Sequence, residues 1–158
     1  MTLSSPIKIL IAVVGTVAIG SASGLITADA INTWYAGINK PSFNPPNWIF
    51  GPVWTLLYIL MGVAAGLVWS STAEATVKRR ALAAYILQLG LNALWSILFF
   101  GLRSPQLALT EIVLLWIAIV WCMRLFEPIQ RTAAYLLVPY LLWVSFASVL
   151  NGAILWLN

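Results

Sequence analysis

The chain has 158 residues, 62% of them hydrophobic and only 8% charged, with a formal net charge of +4. Ordinary soluble domains carry about 25% charged residues, so the charge is too sparse to clothe a water-facing surface, and the composition predicts one multi-pass membrane domain over residues 1–158. The basic excess lies in connecting segments and signals topology, not a nucleic-acid partner; the absence of histidine and the lone Cys122 exclude an internal disulfide, a nucleophile–His triad and a Cys/His metal cluster.

Five stretches are apolar enough to span hydrocarbon, which takes about 20 residues. Backbone in lipid must satisfy its own hydrogen bonds, so each is predicted to be a helix, giving an all-α five-helix bundle. The first runs from about Ile7 to Ala28, uncharged between Lys8 and Asp29. Lys8, the apolar run and Ser21-Ala22-Ser23 also suit a secretory signal, but the run continues through Gly24-Leu25-Ile26, longer than such a signal needs. Gly20 and Gly24 form a small-xxx-small pair that suits close helix packing, although chance in a Gly/Ala-rich helix gives the same spacing.

Next come Trp34-Tyr35 and Lys40-Pro41-Ser42-Phe43-Asn44-Pro45-Pro46. Proline lacks an N–H and fixes φ, so Pro41, Pro45 and Pro46 exclude a helix there. Aromatic side chains are costly in a floppy linker. A stiff aromatic connection, roughly Asp29 to Asn47, therefore suits a lid or the rim of a site.

The second helix, about Trp48 to Trp69, sets Trp54 and Tyr58 at i, i+4. The third, about Ala81 to Gly101, follows Lys78-Arg79-Arg80 and aligns Gln88, Asn92, Trp95 and Phe99 on one stripe. Such a stripe faces protein or a cavity; interhelical glue and pocket lining both remain open for the two amides. The fourth, about Gln106 to Met123, carries Glu111, and an intramembrane carboxylate is a functional candidate. A structural pairing with Arg103 or Lys40 is the alternative. The fifth, about Thr132 to Leu157, aligns Tyr140, Trp143, Ala147 and Asn151, and Pro139 predicts a kink near Tyr140.

Lys8, Lys78, Arg79, Arg80, Arg124 and Arg131 fall on one side of this topology, Lys40 and Arg103 on the other. That bias favours a cytoplasmic N-terminus in a bacterial-type cell membrane and an outward-facing loop. Of the nine tryptophans, Trp34, Trp48, Trp69, Trp121 and Trp156 suit an interfacial belt. Trp54, Trp95 and Trp143 instead share stripes with polar groups, and three indoles around a cavity suit a large flat apolar ligand.

The series W-Y-x-x-I-x-K-P-S-F-x-P-P, then P-V-W-x-x-L-Y, then Q-L-x-L-N-x-x-W-S-x-x-F-F-G, then P-Y-x-x-W-x-x-F-A-x-x-L-N resembles the translocator protein family, also called tryptophan-rich sensory protein or peripheral-type benzodiazepine receptor. The likeness runs from about Gly20 to Asn158. It implies a five-helix membrane bundle that dimerises and binds porphyrins such as protoporphyrin IX and haem, with sterols and synthetic ligands in animal members. It carries pocket roles to Trp54, Asn92, Trp95, Trp143 and Ala147, the acidic position to Glu111, and the covering loop to Trp34, Tyr35, Lys40, Pro41, Pro45 and Pro46. Phe43 stands where many members have Trp. The C-terminal stretch lacks the Tyr and Arg of the animal cholesterol motif, so high-affinity cholesterol binding is not expected.

Three functions follow as expectations. The first is a tetrapyrrole-binding sensor or receptor in contact with membrane lipids, with no obligatory cofactor. Its ligand would lie among Trp34, Tyr35, Pro45, Trp54, Tyr58, Gln88, Asn92, Trp95, Phe99, Glu111, Tyr140, Trp143 and Ala147. Asn92 would orient a polar edge, and Lys40 or loop N–H groups would meet propionates. The second is light-dependent porphyrin breakdown at Trp54 and Trp143, without any ordinary acid–base pair or metal site. The third is porphyrin or lipid transport, although no internal repeat is visible.

Overall fold

Five helical spans, Ser5–Gly37, Asn47–Ser70, Ala75–Gly101, Pro105–Phe126 and Arg131–Leu157, are long and apolar enough to cross a bilayer. A computed structural model describes residues 3–158 and builds these spans from α1 (Ser5–Asn32), α2 (Trp34–Gly37), α3 (Asn47–Ser70), α4 (Ala75–Ser96), α5 (Pro105–Phe126), α6 (Arg131–Leu136) and α7 (Val138–Leu157). Among the described residues every regular element is helical.

Three boundaries differ from the expectation. The first run is a longer helix, continuing past Ala28 to Asn32. Asp29 and Asn32 end an apolar count but not a helix, because backbone bonds continue wherever polar side chains can reach water. For the same reason α4 starts at Ala75 and contains the basic cluster in its first turns. The fifth span is broken at Leu137, two residues before Pro139, which sits in the first turn of α7. Proline has no N–H and its ring crowds the carbonyl four residues back, so the interruption falls ahead of it.

The third span does not end as a plain α-helix. Ile97–Gly101 forms a π-turn, which lets the consecutive residues Phe99 and Phe100 both be buried. Leu102 N–H then donates to Ile97 O at 2.8 Å, and Arg103 adopts φ 53° in the tight turn that leads to α5.

α1 lies along α3, and the reason is Gly62-x-x-x-Gly66. A Cβ on Gly62 would come 2.5 Å from the Cα of Val13, and one on Gly66 2.5 Å from the Cα of Ile9. Small residues let backbones approach, which is how helices associate in lipid. Gly20 instead makes room for the Tyr58 ring, and Gly24 faces open space. The expected packing role of the Gly20/Gly24 pair therefore belongs to α3. Thr16 Oγ1 and the Tyr85 hydroxyl, 2.6 Å apart, tie α1 to α4 inside the bundle.

The main core is built from Met61, Val68, Ile112, Leu115, Ile119 and Phe126. A second cluster, Tyr35, Phe99, Phe100, Ala108, Leu150 and Ile154, fills the end beneath the connection between α2 and α3. That connection is not helical, as its prolines require. Asn44 N–H donates to Pro41 O at 3.0 Å, and the Tyr35 hydroxyl donates to Asn44 Oδ1 at 2.6 Å. Lys40 Nζ donates to the carbonyls of Tyr35, Ile38 and Ala36 at 2.7, 2.9 and 3.4 Å, so the cation closes the C-terminal end of α2. Asn158 fastens the loop to the end of α7. Its Nδ2 donates to Asn39 O and its Oδ1 accepts from Asn39 N–H, both at 2.9 Å.

Candidate functional site

Beneath this loop lies a cavity of about 300 Å³. α1 contributes a small and hydroxylated strip: Gly20, Ser23, Gly24 and Thr27. α3 contributes Phe50, Trp54, Thr55 and Tyr58; the α4 end contributes Trp95, Phe99 and Phe100; α7 contributes Trp143, Phe146, Ala147 and Asn151. Tyr35 closes the loop side.

The aromatic walls hold one another in place. Trp54 stacks on Tyr58 at 5.4 Å and 26° between planes. Trp143 meets Trp54 edge-on at 6.4 Å and 86°, and meets Phe50 at 6.0 Å and 76°. Across the cavity Trp95 stacks on Phe99 at 5.1 Å and 19°. Aromatic pairs prefer these offset and edge-to-face arrangements, each contributing about 0.5–1.5 kcal/mol beyond burial. Indole N–H groups need partners when buried, and Trp95 Nε1 donates to Asn151 Oδ1 at 3.3 Å. Asn151 Nδ2 in turn donates to Pro105 O at 2.8 Å, which fixes the amide between α7 and α5.

No lining side chain is charged, among the described residues. The hydroxyls of Ser23, Thr27 and Thr55 donate back to the carbonyls of Ile19, Ser23 and Gly51, leaving oxygen lone pairs rather than donors toward the cavity. What such a lining offers is apolar burial and stacking, with hydroxyl oxygens on its α1 side. It contains no nucleophile–base pair, and no group of three metal-ligating residues occurs among the described residues.

Of the residues expected at the site, Tyr35, Trp54, Tyr58, Trp95, Phe99, Trp143 and Ala147 line this cavity. Six do not. Trp34 packs edge-on against Phe99 at 5.6 Å, outside the lining. Pro45 shapes the loop, where its carbonyl accepts from Asn44 Nδ2 at 3.1 Å. Asn92 stands one layer back and accepts the Tyr58 hydroxyl at 2.7 Å. Tyr140 is fully buried behind Trp54, the rings 6.4 Å apart. Gln88 and Glu111 lie in the bundle interior, and among the described residues neither they nor the Tyr140 hydroxyl has a hydrogen-bond partner. Glu111 does not pair with Lys40, whose N–H groups go to carbonyls at the end of α2.

The strip on α1 and the rings of Phe50, Phe100 and Phe146 were not expected. The strip had a signal. Gly20, Ser23, Gly24 and Thr27 step by three, one and three, a helical face without bulky side chains. Phe100 had none, because only the π-turn brings it inside.

Comparison with known sequences gives a consistent result. The TspO/MBR family profile matches residues 11–157. The chain is 45% identical over 154 residues to the tryptophan-rich protein TspO of Archaeoglobus fulgidus, covering 96% of this chain and 97% of that one. It is 45% identical over 141 residues to the protein of the same name from Chlorobaculum tepidum, covering 89% of each. It is 41% identical over 119 residues to the human translocator protein, covering 75% of this chain and 70% of the relative.

Proposed function

This chain belongs to the TspO/MBR family of integral multi-pass membrane proteins, and from that premise we propose that it is a sensor or receptor that takes a tetrapyrrole into the cavity under the loop. The observation that carries the proposal is the wall of Trp54, Trp95 and Trp143 around an uncharged space. Indoles on several sides of a cavity favour a broad flat π-system over an aliphatic chain. The absence of lining charge favours holding carboxylate substituents at the mouth, where water still solvates them.

The cavity volume of about 300 Å³ lies at the low end for small-molecule sites. The side by which a macrocycle would enter is the loop with the α1 strip. The α1 and α3 backbones meet at Gly62 and Gly66, away from the loop end, while nearer the cavity Gly20 accommodates the Tyr58 ring.

A second reading is light-driven breakdown of the bound macrocycle, with dioxygen as oxidant and an indole as electron donor to the excited ligand. It is favoured by Trp54 and Trp143 lying on one cavity with ring centroids 6.4 Å apart. Transport gains no comparable support.

Titration of the reconstituted protein with protoporphyrin IX, following tryptophan fluorescence in the dark and under illumination, tests both. Saturable quenching with a stable porphyrin Soret band is the outcome expected of a sensor. A Soret band lost only in light, and retained in Trp54→Phe and Trp143→Phe, favours the second reading. Affinity unchanged in Trp54→Ala, Trp95→Ala and Trp143→Ala alike would remove the cavity from both. The same preparation, cross-linked in membranes, tests the homodimer that belongs to this proposal.

A further inference from the structure

The opposite end of the bundle carries a separate groove of about 480 Å³, formed by the start of α1, the end of α3 and the first turns of α4. Its upper part is cationic: Lys8, Lys78 and Arg79 all line it. Its lower part is apolar, with Leu82 and Ile86 on the same helix. From Lys78 to Ile86 is eight residues, or about 12 Å along the helix. Ile86 is 63% exposed, so this wall runs out onto the lipid-facing surface.

The cations are not neutralised within the groove. No acidic side chain lines it. Lys8 Nζ stands 6.0 Å from the centroid of the Trp69 ring, a cation–π placement, and among the described residues its N–H groups meet no hydrogen-bond acceptor. Lys78 Nζ gives one hydrogen bond, to Ser71 O at 2.9 Å, out of three donors. Arg79 is exposed. A topology signal requires only that positive charge lie on this side. It does not require three cations to converge on one groove whose floor continues into hydrocarbon.

We propose that this groove binds an anionic diacyl phospholipid, its phosphate among Lys8, Lys78 and Arg79 and one acyl chain along Leu82 and Ile86. The arrangement matches the molecule from end to end: negative charge at the headgroup level, an indole at the interface, and an apolar track below. A soluble anion would use the cations but has no need of the track.

Native mass spectrometry of the full chain in mild detergent, with equimolar phosphatidylglycerol and phosphatidylcholine of the same chain length, tests the proposal. Phosphatidylglycerol is expected to be retained in preference. Each cation at a membrane surface contributes about fivefold to such a preference. The double variant Lys8→Gln/Arg79→Gln is then expected to lower the preference about twenty-five-fold, and Arg103→Gln at the other end to leave it unchanged. Should the double variant fold poorly, Arg79→Gln alone is expected to lower it about fivefold. An unchanged preference in these variants overturns the proposal. So does displacement of the lipid by millimolar inorganic phosphate as readily as by a short-chain phosphatidylglycerol, which would mark a site for soluble anions.

Discussion

Asn92 shows how a residue's role depends on the layer it occupies. Its place on the third-helix stripe, beside Trp95 and Phe99, suits a side chain that orients a polar edge of the ligand, and on that basis alone Asn92→Leu would weaken the ligand more than the fold. With the amide accepting the buried Tyr58 hydroxyl, that order reverses. Leucine leaves a buried hydroxyl unpaired, which costs about 1–3 kcal/mol. Thermal unfolding in detergent is expected to register that loss, while porphyrin affinity changes by less than about tenfold, or 1.4 kcal/mol. Trp143→Ala is the converse case. It removes a ring that faces Trp54, Phe50 and the cavity at once, so affinity is expected to fall by more than about tenfold in a fluorescence titration. An Asn92→Leu protein with native stability and lost affinity would return the amide to the ligand's first contacts.

At the scale of elements, the span count, the non-helical loop and the aromatic faces were legible because they rest on composition and helical spacing. What escaped is what depends on a partner. Gly20/Gly24 and Gly62/Gly66 have the same spacing in sequence, and only the position of Val13 and Ile9 shows which pair carries the contact. Phe100 is invisible to a period of 3.6 residues because the π-turn adds one residue to the last turn of the span. Gly62→Leu is expected to push α1 off α3, with a cost of about 1–3 kcal/mol or more for overpacking. Since α1 supplies the strip from Gly20 to Thr27, porphyrin affinity is expected to fall with it. Gly90→Ala is the control: a Cβ there meets nothing within 4 Å, and no loss of thermal stability is expected. Equal destabilisation by both substitutions would mean that the close approach of α1 to α3 is not what holds them together.

For the whole molecule, the two ends differ in the physics of what they recognise. The loop end offers aromatic surface without charge, and the other end offers charge leading into an apolar track. Salt distinguishes them. Porphyrin affinity is expected to vary little between low and physiological ionic strength, whereas lipid preference is expected to weaken as salt screens Lys8, Lys78 and Arg79. Parallel titrations at two salt concentrations measure both, and a steep salt dependence at the loop end would point to a cation that the lining residues do not include.

The Asn39–Asn158 pair joins the loop to the end of α7 through side-chain and backbone amides alone. Mechanically, that makes Asn158 a handle on the cover. Tension applied there is borne first by these two hydrogen bonds and by a third from Asn39 Nδ2 to Leu157 O, and only afterwards by five packed spans. In a single-molecule pulling experiment on the protein in a bilayer, a small extension at low force is expected before any helix leaves the membrane. Asn158→Ala, which leaves only the Asn39 Nδ2 bond to Leu157 O, is expected to lower the force of that first step and leave the later ones in place.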